Sequence, residues 1–216
     1  MKKQLILSAI AAVALGAPAA SMAESLDFNY KVDRFADIEV LRYKVPDFEQ
    51  LTIQQKELVY YLTEAALYGR DILTDQNGKY NLAIRTTLEN IYKNYDGSKD
   101  DADYKGFVLY LKQVWFANGI HHHYSTDKFT PQFSQTFFET QVKKLSKKQL
   151  PLKKGQTVDA FLKEITPVIF DPTVMAKRVN QANGQDLILT SANNYYEGVT
   201  QAEVEQFYAA MKKTDN

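Results

Sequence analysis

The chain has no cysteine, and its three histidines stand side by side at positions 121 to 123. The first absence excludes disulfides, a cysteine nucleophile and the lipid-modified cysteine that anchors a bacterial lipoprotein. The second excludes any site that needs histidines spread along the sequence. There is no His-Glu pair, so no His-Glu-x-x-His helix can be written. A Ser-His-Asp triad would have to recruit one of these three histidines. No serine sits in a Gly-x-Ser-x-Gly elbow, and the nine glycines build no phosphate-cradling loop. An excess of charge of one sign is also missing, since 26 basic side chains face 26 acidic ones. Nucleic acid and anionic lipid are drawn to clustered Lys and Arg, so neither is an expected partner. The one local basic excess, Lys143 to Lys154, reads as the solvated end of a helix and its loop.

Long apolar runs are scarce too. The stretch from Leu5 to Leu15 is about eleven residues, short of the ~20 that a membrane-spanning helix requires. Behind Lys2 and Lys3, and ahead of the small residues of Ser21-Met22-Ala23, it reads as a signal peptide over 1–23. The expectation is an exported protein, periplasmic in a Gram-negative cell, with no membrane attachment after cleavage. Residues 24–216 then form a single mostly helical domain or part of one. Without disulfides its stability must come from burial, which 14 Tyr and 12 Phe can supply.

The expected fold class is mainly α. "LTIQQKELVYYLTEAALYGRDIL" starts with a capping box, Thr52 and Gln55, and spaces Leu58, Leu62, Ala65, Ala66, Ile72 and Leu73 as one buried face up to Asn77-Gly78. A second helix carries Ile84, Leu88, Ile91, Tyr92 and Tyr95. A third, capped by Asp100 or Asp101, carries Tyr104, Phe107, Val108, Leu111, Val114 and Trp115, and stops at Asn118-Gly119. Thr130-Pro131 reads as a cap and first turn, with Phe133, Phe137, Phe138, Val142 and Leu145 following. Thr157 starts another helix, bent or ended by Pro167, and Asp171-Pro172 a short one through Val179. "DLILTS", Asp186 to Ser191, is the best strand. Thr200 and Glu203 cap the last helix.

Three groups invite a functional reading. His121, His122, His123 and Tyr124 follow a helix stop, and neighbouring residues point apart, so a shared metal is disfavoured and no metal ligand is assigned. They read as a packed or capping junction, or as polar contacts lining a cleft. Asn194, Tyr195 and Tyr196 in "SANNYYEGVT", together with Tyr60-Tyr61, gather amides and phenols as a peptide or sugar cleft does, or as a loop tied down by its own tyrosines does. Arg70 and Asp71 read as an ion pair bracing two helices. No catalytic residue can be named.

At "ALYGRDILTDQNGKYNLAIR", "GIHHHYSTDKFTPQF" and "NNYYEGVTQAEVEQFY" the chain resembles the N-terminal portion of bacterial dipeptidyl peptidase III, from about Phe35 to Lys213. That family removes dipeptides from peptide N-termini. The resemblance implies two lobes around a wide cleft, and a zinc held by a His-Glu-x-x-Gly-His helix and a later glutamate. In such enzymes zinc-activated water attacks the scissile carbonyl, with the motif glutamate as general base. Family members are several times longer, and the zinc motif lies downstream of the matched region, with no counterpart here. The resemblance therefore implies an amino-terminal fragment of an exported hydrolase, with peptide substrates reached only through the full-length enzyme. Zinc is expected in that enzyme and no cofactor in this chain. The alternative from the residues alone is a self-contained helical periplasmic binding or interaction module.

Overall fold

A computed structural model describes residues 28–214, so the signal peptide expected at 1–23 lies outside them. The described residues are mainly α, with seven α-helices and one two-stranded sheet. No described helix is long and apolar enough to cross a membrane. The chain divides into two compact units, one up to Thr52 and one from Ile53 onward.

The first unit holds two strands where the sequence reading placed no element. It is an antiparallel hairpin of β1 (Lys31–Phe35) and β2 (Ile38–Leu41), with Phe35 opposite Ile38. Two runs with β-branched residues around a two-residue turn are a hairpin pattern. Its turn holds Ala36 at φ 47, a left-handed position usually given to Gly or Asn. Without that cue the turn is hard to see.

The second unit opens with α1 (Ile53–Tyr68) and α2 (Arg70–Gln76), separated at Gly69. The buried face expected on this segment is not buried. Every residue of α1 except Lys56 is exposed, Leu58 at 59% and Leu62 at 60%, and on α2 Ile72 and Leu73 are exposed as well. The spacing is present, but Val59, Tyr60 and Tyr61 fill the intervening positions, so the apolar character runs round the helix instead of forming a stripe.

The core lies among four helices: α3 (Asn81–Asn94), α4 (Ala102–Ala117), α5 (Gln135–Lys144) and α6 (Val158–Phe170). Ile84, Leu88 and Ile91 of α3 meet Phe107, Leu111 and Val114 of α4, Phe138 and Val142 of α5, and Phe161, Ile165 and Ile169 of α6, all buried. Each set keeps the three-four spacing of a helix face. Tyr92 and Trp115, expected on buried faces, are partly exposed. Their rings meet edge-on at 6.1 Å, and Trp115 Nε1 donates to Glu89 at 2.9 Å. Gly106 lets α4 approach the chain ahead of α5, where a Cβ would stand 1.8 Å from the Gln132 carbonyl oxygen.

Local caps decide most helix ends. Asp101 accepts from the Tyr104 N–H and Thr157 from the Ala160 N–H, each at 3.1 Å. The helix expected from Thr130-Pro131 begins later, because Ser134 is its cap. Ser134 donates from N and Oγ to the Asp103 carboxylate at 2.7 Å each, which leaves Phe133 free to plug the core ahead of the helix. Pro167 does not end α6, which runs on to Phe170. The Lys128 ammonium donates to carbonyls beyond that proline: Val168 at 3.1 Å, Val174 at 2.6 Å, and Asp171. Burial pulls the Lys128 pKa below its usual value.

Two further expectations are corrected. Asp171-Pro172 opens a turn and not a helix through Val179. The Asp171 carboxylate accepts from Thr173 N and Oγ1, and Met175 then turns left-handed at φ 51. "DLILTS" is also a turn, because Asp186 Oδ1 accepts from the N–H groups of Ile188 and Leu189 at 2.9 Å, which winds the segment up. The last helix, α7 (Gln201–Thr214), does begin with its capping box: Thr200 N donates to Glu203 Oε2 at 2.7 Å and Glu203 N to Thr200 Oγ1 at 3.2 Å. None of its residues 201–212 is buried.

Candidate functional site

The histidine segment is placed by the stop that precedes it. Asn118 ends α4 in a left-handed conformation, φ 52, and the Asn77 side-chain amide donates to the carbonyls of Ala117 and Asn118 at 3.4 and 3.1 Å. Ile120 N donates to Asn81 Oδ1 at 3.3 Å, pinning the chain against the turn between α2 and α3.

The three imidazoles then do three different things. His121 is 2% exposed, and its Nε2 donates to the Met175 carbonyl at 2.8 Å while buried Nδ1 meets no partner. Burial lowers its pKa to about 4, and the cations of Lys128 and Arg178 push the same way against the Met175 bond. His122 Nδ1 accepts from the N–H groups of Tyr124 and Ser125 at 3.2 and 3.1 Å, so this ring folds the loop on itself. His123 packs edge-on to Phe116 at 5.0 Å and offers its backbone carbonyl to Arg178 Nη2 at 3.1 Å. Tyr124 is 85% exposed.

Arg178 is the centre of the junction. Besides His123 it reaches Asn77 Oδ1 at 3.3 Å, its N–H donates to Thr126, and its carbonyl accepts from Asn193. Asn194 arrives at the same turn from the other side, its N–H on the Gln76 carbonyl at 2.9 Å and its Nδ2 at 3.4 Å from Asp75 Oδ2. The structure thus gathers the histidine segment and Asn194 around residues 75–77. It leaves Tyr195 and Tyr196 largely in solvent, with the Tyr196 phenol held by a hydrogen bond to Tyr208 that raises its pKa. Tyr60 and Tyr61 are exposed on α1 and touch only edge to face. The brace expected from Arg70 and Asp71 uses a different cation. Arg85 of α3 binds Asp71 at 2.5 Å and Thr74 Oγ1 at 3.1 Å, tying α2 to α3.

Asn77, Arg178 and Lys128 were not singled out by the sequence. Asn77 was visible only as a helix stop, and nothing local marks the other two. A groove of 560 Å³ opens between α5 and α6, and one of 520 Å³ between the end of α6 and residues 127–131; none of His121, His122, His123 and Tyr124 lines either. Zinc is the metal the resemblance implies, and the residues here do not fit it. His121 Nε2 and His122 Nδ1 are committed to separate backbone partners, and among the described residues no three His, Cys, Asp or Glu are grouped to hold an ion.

Fold and junction define a mainly α protein whose conspicuous polar residues close loops around a four-helix core. No family model matches the chain, and no curated protein matches it.

Proposed function

We propose that this chain is helical scaffold, and part of the cleft wall, of an exported zinc dipeptidyl peptidase of the dipeptidyl peptidase III kind, and is catalytically incomplete by itself. The observation that carries the reading is α1. Apolar side chains stand on every side of this helix among its polar ones, and Ile53, Leu58, Tyr60, Tyr61, Leu62 and Tyr68 are each at least 59% exposed, a surface that a further body would cover. On α7, Phe207, Tyr208 and Met211 add to the uncovered apolar surface. A second lobe carrying the zinc motif is the cover this reading supplies. The junction around Arg178 then serves to fix the loops that face the cleft, with Tyr124 and Tyr195 exposed to touch a peptide and Tyr196 beside them on Tyr208.

Coding sequence continuing in frame past Asn216 into a His-Glu-x-x-Gly-His helix is the expected finding; a stop codon followed by unrelated sequence refutes the proposal. The purified chain is expected to cleave no dipeptidyl-naphthylamide, with or without zinc.

One observation favours a second reading, the self-contained binding module: the core of α3 to α6 is closed without help from α1 or α7. Strong binding of an apolar dye, or aggregation, supports the peptidase scaffold. A cooperative monomer that binds no dye supports the module.

A further inference from the structure

Five separate stretches of the second unit meet around a cavity of 280 Å³: the end of α2, the entry to α3, the loop ahead of α6, α6 itself and the loop ahead of α7. Its floor is apolar. Phe161 and Ile165 lie there at 2% and 1% exposure, beside Tyr80 and Ala83.

The rim carries two lysines and three carboxylates. Both lysines are already matched. Lys79 binds Glu197, and Lys153 binds Glu164 at 2.6 Å, while the Gln156 amide donates to the other Glu164 oxygen at 2.7 Å. The remaining carboxylate is Asp75, whose side chain receives, among the described residues, only the Asn194 amide, at a long 3.4 Å. One negative charge therefore stands at the mouth of an apolar pocket without a counter-ion. An anionic ligand finds both ammonium groups occupied. A divalent metal finds one uncommitted carboxylate, too few oxygens for a hard cation. What remains is a single positive charge on an apolar body.

We propose that this cavity binds a primary ammonium group carried on a short apolar body, with Asp75 as its counter-ion. The Asn194 side-chain oxygen, left free by the bond to Asp75, is a second acceptor, and Phe161 and Ile165 seat the apolar part. The pocket is distinct from the histidine junction, and the inference does not depend on the peptidase reading, since binding is measured on the purified chain without turnover.

The probe is phenethylamine, titrated into the chain by NMR or calorimetry. One charge pair and one buried ring support a Kd on the order of millimolar. N-acetylphenethylamine keeps the ring and loses the charge, and phenylpropionate reverses the charge; neither is expected to bind. Asp75→Asn, which keeps the shape, should weaken phenethylamine roughly tenfold or more, as loss of a charged hydrogen bond does. Lys79→Ala frees Glu197 and should tighten it. Equal binding of the acetylated probe, unchanged affinity in Asp75→Asn, weaker binding in Lys79→Ala, or no saturation by about 50 mM on the same scale would each overturn the proposal. Should Asp75→Asn fold poorly, the acetylated probe on the unmodified chain still decides.

Discussion

Gly106→Ala gives a prediction in which local and tertiary effects have opposite signs. Position 106 is inside α4, where replacing Gly by Ala in an exposed helix gains about 1 kcal/mol. Here the new Cβ would stand 1.8 Å from the Gln132 carbonyl oxygen and 2.5 Å from its carbon, where ordinary contact begins at 3.4 Å. One side must retreat by roughly 1.6 Å to reach that contact. The neighbour is backbone and cannot rotate away. It is also held by the two residues that follow it, Phe133 in the core and Ser134 on Asp103. Overpacking of this kind costs ~1–3 kcal/mol, and a backbone clash falls at the upper end or beyond. Set against the propensity gain, the net loss is about 2 kcal/mol, or about 4–8 °C in Tm for a domain of this size. Urea denaturation followed by circular dichroism measures it. Gly155→Ala is the control, since a Cβ there meets nothing within 4 Å and only the φ of 79 is strained. If Gly106→Ala is as stable as the parent, the close approach of α4 to Gln132 is wrong.

The remaining predictions follow from the junction and from α1. The folded-state pKa of His121 lies below its unfolded value, so its contribution is complete above pH 6.5 and is lost as pH falls toward 4. A shift of that size corresponds to roughly 3 kcal/mol; urea midpoints at several pH values should show that slope, and His121→Gln should flatten it. Arg178→Ala removes the bonds to Asn77 and His123 and should cost ~1–3 kcal/mol, with faster amide exchange at residues 122–126; unchanged exchange would remove Arg178 from the centre of the junction. Leu58→Glu with Leu62→Lys should move the chain's own stability by less than about 0.5 kcal/mol while lowering apolar dye binding, because both side chains are exposed. A large loss of stability would show that α1 is covered within this chain.

What the sequence made legible was local chemistry. The faces of α3 and α4 apart from Tyr92 and Trp115, the Asn118-Gly119 stop and the caps at Thr157 and Thr200 depend on residues within one or two turns of each other, and they hold. The errors come from distance or competition. Ser134 outranks Thr130 as a cap because Asp103, 31 residues earlier, fixes it. In "DLILTS" the Asp186 side chain competes with strand formation for the backbone. The spacing on α1 implied a buried face, but the same spacing was available on the other sides of the helix. The histidines could be placed in a junction from the helix stop alone. Their partners could not, because Met175 and Arg178 lie 54 and 55 residues further on.

That separation also bears on the order in which the structure forms. Asn77 and Arg178 are 101 residues apart, and Asp75 and Asn194 are 119 apart. Closing such loops costs chain entropy before any contact repays it, whereas α3 and α4 are near neighbours in sequence and pack at once. The four-helix core is therefore the part that condenses first, and the junction is the seal applied afterwards. Lesions at Arg178 or Asn77 should then quicken unfolding and leave the folding rate nearly untouched, while lesions at Phe107 or Leu111 slow folding itself.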